Sequence, residues 1–223
     1  MDEKKICFIS CINSKRYEQE LMRYFKHLKI PDGYELEVLT VWEAASMTQG
    51  YNEAMRESNA KYKIYLHQDV FIVNCNLIQN ILEIFQDKSI GMIGVVGTLK
   101  LPENAVMWNN ERIGKYYAHS AYFAEKNIAG EVQGDWETVE AIDGLLMITQ
   151  YDIPWREDLF KNWDFYDVSQ SQEFHNREYK VVVPNMEEPW CIHDKGFVDM
   201  KNYYQNRRIF VEEYKNGRKA EQK

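Results

Sequence analysis

Asp69, Asp143, Asp167 and His193 fall where apolar segments end. Asp69 closes the run Lys63-Ile64-Tyr65-Leu66-His67-Gln68-Asp69, in which a strand-like apolar stretch gives way to a polar tip. In an open α/β sheet, ligands bind in the crevice beyond the carboxyl ends of the strands. A carboxylate placed there can hold a divalent cation and, through it, phosphate oxygens. It can equally be a loop carboxylate capping the next helix. Asp69 and His193 together would offer one oxygen and one nitrogen ligand. That set suits Mn2+, with Mg2+ the common alternative. His193 could instead hydrogen-bond nearby backbone. Asp167 has the chemistry of a general base toward a hydroxyl and also of an N-cap for the helix that follows. Asp143, in an Asp-Gly pair, could orient an acceptor hydroxyl or simply turn the chain.

The elements that must position these residues follow from the pattern around them. Ile6 to Cys11 is a nearly continuous apolar run, as in a strand buried on both faces. After Asn13 and Ser14, the stripe Tyr17, Leu21, Tyr24, Phe25 and Leu28 predicts a helix with Ser14 at its N-cap. Pro31-Asp32-Gly33 is a turn, and Leu36 to Val41 a second strand. A loop then passes into helical sequence toward Met55, and the strand ending at Asp69 follows. The spacing predicts a helix over 76–85 and a strand over 90–97. The alternation implies one layered sheet with helices on both faces.

From Leu99 to about Trp136 the chain is polar and aromatic with weak periodicity, and a strand is expected over 117–124. Long irregular stretches of this kind tend to be functional loops. Asp143-Gly144 precedes an apolar strand, and Pro154-Trp155 starts a short helix or turn. A helix runs through Phe174, a strand over 180–184 ends at its proline, and a last helix is expected from Phe197 to about Tyr214. No linker divides the chain. A single unit, 1–223, is expected, with parts over 1–97 and 98–196 and a C-terminal helix and tail (197–223).

Composition removes several function classes. A net charge of −8 argues against a broad nucleic-acid surface. Cys7, Cys11, Cys75 and Cys191 form no C-x-x-C pair, which suits a reducing compartment. The charged start leads directly into a strand, and no apolar run is long enough to span a bilayer, so a cytoplasmic protein is expected, working at most at the periphery of the inner membrane face. There is no G-x-x-x-x-G-K-[ST] loop, no G-x-G-x-x-G after the first strand and no G-x-S-x-G elbow.

Five motifs together resemble the GT-A-fold glycosyltransferases. They are Gly50-Tyr51-Asn52-Glu53-Ala54, Leu66-His67-Gln68-Asp69-Val70, Ile142-Asp143-Gly144, Phe165-Tyr166-Asp167 and the late His193. The chain is similar in particular to a small bacterial glycosyltransferase-like family related to family 2 and associated with capsule or surface polysaccharide. The resemblance implies an α/β fold: a GT-A type three-layer α/β/α sandwich on a mostly parallel, Rossmann-like sheet. It implies a nucleotide site at Ser10, Cys11, Asn13, Glu43, Tyr51, Asn52, His67 and Gln68. It places Asp143, Gly144 and Trp163 near the sugar or acceptor, Asp69 and His193 on a Mn2+ or Mg2+ ion, and Asp167 as the base of an inverting transfer. The family's DXD element ends at Asp69, with His67 in place of its first Asp; the usual Glu-Asp pair reads Tyr166-Asp167. The donor would be a nucleoside-diphosphate sugar, with UDP favoured, and the acceptor a saccharide or lipid-linked hydroxyl. The loop with Trp108, Tyr116, Tyr117 and Tyr122 would shape the acceptor site.

Other readings compete with this one. A silent relative would keep the pocket without turnover. A nucleotidyltransferase would need a glycine-rich basic loop where Ile12-Asn13-Ser14-Lys15-Arg16 stands. An interaction protein would not need polar residues at strand ends. The aromatic C-terminal helix could pair with a second copy as a homodimer.

Overall fold

The computed structural model describes residues 1–120, 122–194, 196 and 200–216. The chain opens with β1 (Asp2–Ile12), α1 (Lys15–Phe25), β2 (Glu35–Trp42), α2 (Met47–Glu57) and β3 (Ala60–Leu66). Next come β4 (Val70–Ile72), α3 (Leu77–Ile84), β5 (Ile90–Gly94) and β6 (Val96–Thr98). A hairpin of β7 (Arg112–His119) and β8 (Ala124–Gly130) follows, then β9 (Trp136–Thr138), β10 (Ala141–Ile142) and β11 (Leu146–Thr149). The chain continues through α4 (Tyr166–His175), β12 (Lys180–Pro184), β13 (Cys191–Asp194) and α5 (Tyr203–Phe210), which runs on as a wider helical turn over Val211–Asn216.

The larger sheet has the order β2-β1-β3-β11-β5-β12-β9. β2, β1 and β3 are parallel, as are β5 and β12, while β11 and β9 run against their neighbours. Side chains alternate along β1: Ile6 and Phe8 pack with Leu21 and Phe25 of α1 and Ile78 and Ile81 of α3. Cys7, Ile9 and Cys11 pack on the other face with Met47, Tyr51 and Ala54 of α2 and Phe174 of α4. This period of two, covered on both faces, is what a continuous apolar strand requires. The three-layer sandwich is therefore present. The two cysteines share a face, as expected, and are free.

A smaller sheet, β10-β6-β7-β13-β4 with β8 paired to β7, lies beyond the strand ends. It was not legible as a separate sheet, because the expected strand over 90–97 bends at Val95 and divides between the two sheets. Gly114 sits against that bend with φ +98°, and a Cβ there would lie 2.1 Å from the Val95 carbonyl oxygen. The strand expected over 117–124 is replaced by the β7–β8 hairpin. Of the short helix or turn expected from Pro154-Trp155, a turn forms, over 157–159. The expected helix start at Phe197 lies outside the described residues, and the observed helix begins at Tyr203.

Helix starts follow two different routes. At α2, Ser46 is a working N-cap whose hydroxyl accepts the Gln49 N–H at 3.2 Å. At α1, Ser14 holds the cap position with extended backbone, but its side chain makes no capping bond. The aromatic face of the C-terminal helix is used within the chain: Phe210 is buried, Tyr203 stacks near Phe165, and the Tyr214 hydroxyl donates to Glu173 at 2.8 Å.

Lys63 is fully buried in β3, where its ammonium meets Asp152 Oδ1 at 2.8 Å and donates to the Ala60 carbonyl at 2.7 Å. Removing one partner of a buried pair costs about 3 kcal/mol, because the remaining charge stays desolvated. Asp152→Ala is expected to lower unfolding stability in urea by roughly that amount, and Lys63→Met by less.

Candidate active site

The chain crosses from the larger sheet to the smaller one between β3 and β4, and the crossing is the turn His67-Gln68-Asp69. Backbone hydrogen bonds fix it. His67 N–H donates to the Leu145 carbonyl at 3.2 Å, and Val70 N–H donates back to the His67 carbonyl at 3.1 Å. Gln68 ties the turn to the end of β1, donating to Asn13 Oδ1 at 2.8 Å while accepting the Asn13 N–H at 3.0 Å. The neighbouring strand β13 is anchored where Asp194 N–H donates to the Asp69 carbonyl at 2.8 Å.

These constraints bring three ligand types together. His67, Asp69 and His193 each offer one ligand atom within 4.8 Å of the others. His193 Nε2 stands 3.7 Å from Asp69 Oδ1, and the two imidazole rings are 5.7 Å apart between centroids. Burial, reinforced by His193, holds His67 below the ordinary imidazole range, so the ring is neutral and able to ligate. Two imidazoles and a carboxylate fit a divalent transition ion such as Mn2+ better than Mg2+, which prefers an all-oxygen shell. His67, assigned above to the nucleotide, therefore stands in the candidate metal set.

Behind His67 lies Tyr166, buried, with its hydroxyl hydrogen-bonded to His67 Nε2. Gly144 makes room for it: a Cβ at Gly144 would lie 2.1 Å from the Tyr166 hydroxyl oxygen. The next residue is Asp167. Its Oδ2 accepts the Gly144 N–H at 2.9 Å and its Oδ1 the Val168 N–H at 2.8 Å. Burial, then the neighbouring Asp143 carboxylate, push Asp167 up to about 7. Asp167 lies in the first turn of α4; the cap position belongs to Phe165, in left-handed backbone at φ 64°. Asp143 also performs the turn role, accepting the Leu145 N–H at 3.1 Å.

A cleft of about 610 Å³ opens in front of this assembly. Cys11, Asn13, Glu43, His67, Gln68, Asp69, Trp163 and His193 line it, from the ends of β1, β2, β3 and β13 and the loop before α4. Ser10 does not: β1 alternation turns it under α1, between Glu18 and Thr40. Tyr51 is fully buried among Tyr65 and Trp155. Asn52 is buried too, with its amide donating to the Trp155 carbonyl and accepting the Trp155 N–H, both at 2.9 Å. Tyr51 and Asn52 thus form the wall behind the cleft. Asp143, Gly144 and Asp167 stand behind His67, outside the cleft lining. The aromatic loop is dispersed. Trp108 packs on Tyr203, the Tyr116 ring lies 6.1 Å from His193, Tyr117 bonds Glu188, and Tyr122 is exposed. Sequence reasoning missed the structural part of Tyr166. Its only signal was its place beside Asp167.

A family profile described as "Glycosyltransferase like family" matches residues 7–214. The chain belongs to this family. No curated protein sequence matches it. Among solved structures it is similar to TarS of S. aureus, with a TM-score of 0.60 and 11% identity over 93% of this chain and 39% of TarS. TarS 1–349 in complex with UDP-GlcNAc gives a TM-score of 0.60 at 10% identity, over 94% of this chain and 66% of that one. The mannosyltransferase PcManGT of Pyrobaculum calidifontis, in complex with GDP-Man and Mn2+, gives 0.55 at 10% identity, over 95% of this chain and 70% of that one. These likenesses establish the GT-A fold. The chain spans well under half of full-length TarS.

Tyr166 fixes which His67 nitrogen is free for a cation. Loss of such an orienting bond typically weakens metal binding by about 10-fold or more. Tyr166→Phe is expected to lower Mn2+ affinity by that factor in a titration followed by electron paramagnetic resonance; wild-type affinity would contradict the orienting role.

Proposed function

We propose that the protein transfers a sugar from a nucleoside-diphosphate sugar to an acceptor hydroxyl, with inversion. The observation that carries this reading is the His67–Asp69–His193 cluster at the strand-end cleft, with Asp167 one tyrosine behind it. The TarS and PcManGT structures, in complex with UDP-GlcNAc and with GDP-Man and Mn2+, support a nucleotide-sugar ligand and a divalent ion. The nucleoside is assigned to the part of the cleft lined by Cys11, Asn13, Glu43 and Gln68. Trp163, about half exposed on the cleft wall, offers a face to a sugar ring.

His67, Asp69 and His193 would hold the cation, whose contribution when bound is to neutralise charge on the diphosphate. Asp167 is assigned the proton of the acceptor hydroxyl, which must reach it past His67 because Asp167 does not itself line the cleft. The hydroxyl oxygen then bonds the anomeric carbon, and the bond from that carbon to the diphosphate oxygen breaks with its electron pair. Burial, and then repulsion from the Asp143 carboxylate, keep Asp167 basic enough for this step. A role in bacterial surface polysaccharide, with a saccharide or lipid-linked acceptor, is the biological setting we assign. No helix among the described residues is long and apolar enough to cross a membrane; attachment to the membrane surface would need another means. One observation favours a binding-only relative: both Asp167 oxygens already accept backbone N–H groups.

Calorimetric titration with UDP and then GDP, with and without Mn2+, tests the donor site. Mn2+-dependent binding of one nucleotide, lost in Asp69→Ala, is the expected result; binding of neither would overturn the reading. Asp167 acts when ionised, so transfer at saturating donor should rise with pH and level off above about 7. Asp167→Asn should keep donor binding, reduce transfer by roughly 100-fold or more and abolish that rise. Donor binding with no transfer by the wild-type chain to any acceptor hydroxyl, water included, would instead support the binding-only relative.

A further inference from the structure

A second cavity, of about 540 Å³, lies across β13 from the cleft, between α1 and the β7–β8 hairpin. We propose that this groove binds a neutral oligosaccharide, holding sugar units remote from the reacting one; the proposal rests on the glycosyltransferase reading above. Helix α1 presents two faces. Leu21 and Phe25 enter the main core, while Tyr17 and Tyr24, two turns apart, face the groove. The Tyr24 ring stacks on Phe71 of β4 at 5.1 Å between centroids, and Tyr17 lies 6.3 Å from the same ring. Phe71 and its strand partner Ile192 give the groove an apolar floor. Tyr117 stands on the hairpin wall.

The chemistry of this lining selects among ligands. Aromatic faces suit the C–H faces of sugar rings. Carboxylates, phenols and an imidazole suit hydroxyl groups. Glu20, Glu125 and Asp194 supply the first, and His119, hydrogen-bonded to Asp194, the last. Among the described residues, Arg16 and Lys126 are the cations on the lining, and Lys126 is paired with Glu188 at 3.0 Å. The groove thus has no excess of positive charge to attract a phosphate or a polyanion. A hydrocarbon chain would cover these polar groups without giving them partners, which is costly.

The groove is next to the candidate reaction centre yet separate from it. Along β13, His193 lines the cleft, whereas Ile192 and Asp194 line the groove. The Asp194 N–H is bonded to the Asp69 carbonyl. A chain lying along the groove would therefore end close to the place of transfer.

The test is calorimetric titration of the full chain with cellotetraose, maltotetraose, mannotetraose, chitotetraose and a short-chain polyprenyl phosphate, alongside UDP and GDP with Mn2+ on the same preparation. Binding of at least one tetrasaccharide is expected, weakened about 10-fold by Tyr24→Ala and measurably by the milder Glu125→Gln, with UDP binding unchanged in both variants. UDP binding without any tetrasaccharide binding would overturn the groove while leaving the cleft reading intact. Saccharide binding indifferent to both variants would also overturn it, by placing the sugar elsewhere. Loss of a polyprenyl phosphate's binding in both variants, with no saccharide bound, would replace the saccharide by a lipid. Failure of both UDP and GDP to bind would instead remove the reading on which the groove's role rests.

Discussion

The backbone cannot continue one strand ladder where it leaves the larger sheet for the smaller one. β3 ends at Leu66 and β4 begins at Val70 in the other sheet, so the three residues between must find hydrogen bonds outside either ladder. They find them on Leu145, on Asn13 through Gln68, and on Asp194. Buried backbone groups left unpaired would be costly, so the same bonds that satisfy this crossing also fix His67 and Asp69 in space. The chain crosses the same boundary at Val95 and again between β10 and β11, where Asp143 and Gly144 sit. The candidate site is the place where these crossings meet.

Electrostatics at that boundary are unbalanced in a useful way. Asp69 and Asp143 both bear on His67, and Asp143 bears on Asp167. Carboxylates gathered in a partly buried region raise one another's affinity for protons. Among the described residues, no Lys or Arg lines the cleft to neutralise them. A bound divalent cation would answer this imbalance, and the imidazoles of His67 and His193 would complete its ligand set. His67 would ligate such a cation without adding negative charge of its own.

Tyr166 links the two parts of the site. Its hydroxyl meets His67, its ring fills the space that Gly144 leaves open, and its chain neighbour is Asp167. A shift of α4 would move the candidate base and disturb the imidazole together. α4 is in turn held by Glu173, which joins Arg156 at 3.4 Å, Arg177 at 2.8 Å and the hydroxyl of Tyr214 at 2.8 Å. The C-terminal helical segment therefore braces the helix that carries Asp167.

The layered α/β core was readable because its signals are local: continuous apolar strands, amphipathic helices and turn residues between them. Asp69, Asp143, Asp167 and His193 were readable as candidates because polar residues at element ends stand out against apolar runs. Chain order could not say which of them meet. Ser10 and Cys11 look alike as neighbours at a strand end, yet the period of two sends Ser10 under α1 and Cys11 to the cleft wall. Tyr51 and Asn52 belong to a family motif, but packing against Trp155 places them behind the cleft. The smaller sheet was hidden because most of its strands are short and they are drawn from distant parts of the chain. The sequence by itself determined the fold class and the supply of ligating and basic groups, since these depend on periodicity and residue type. Only the tertiary structure decided that His67 joins Asp69 and His193, and that Tyr166 stands between them and Asp167, because those contacts join segments about 100 residues or more apart that meet only once both sheets have formed.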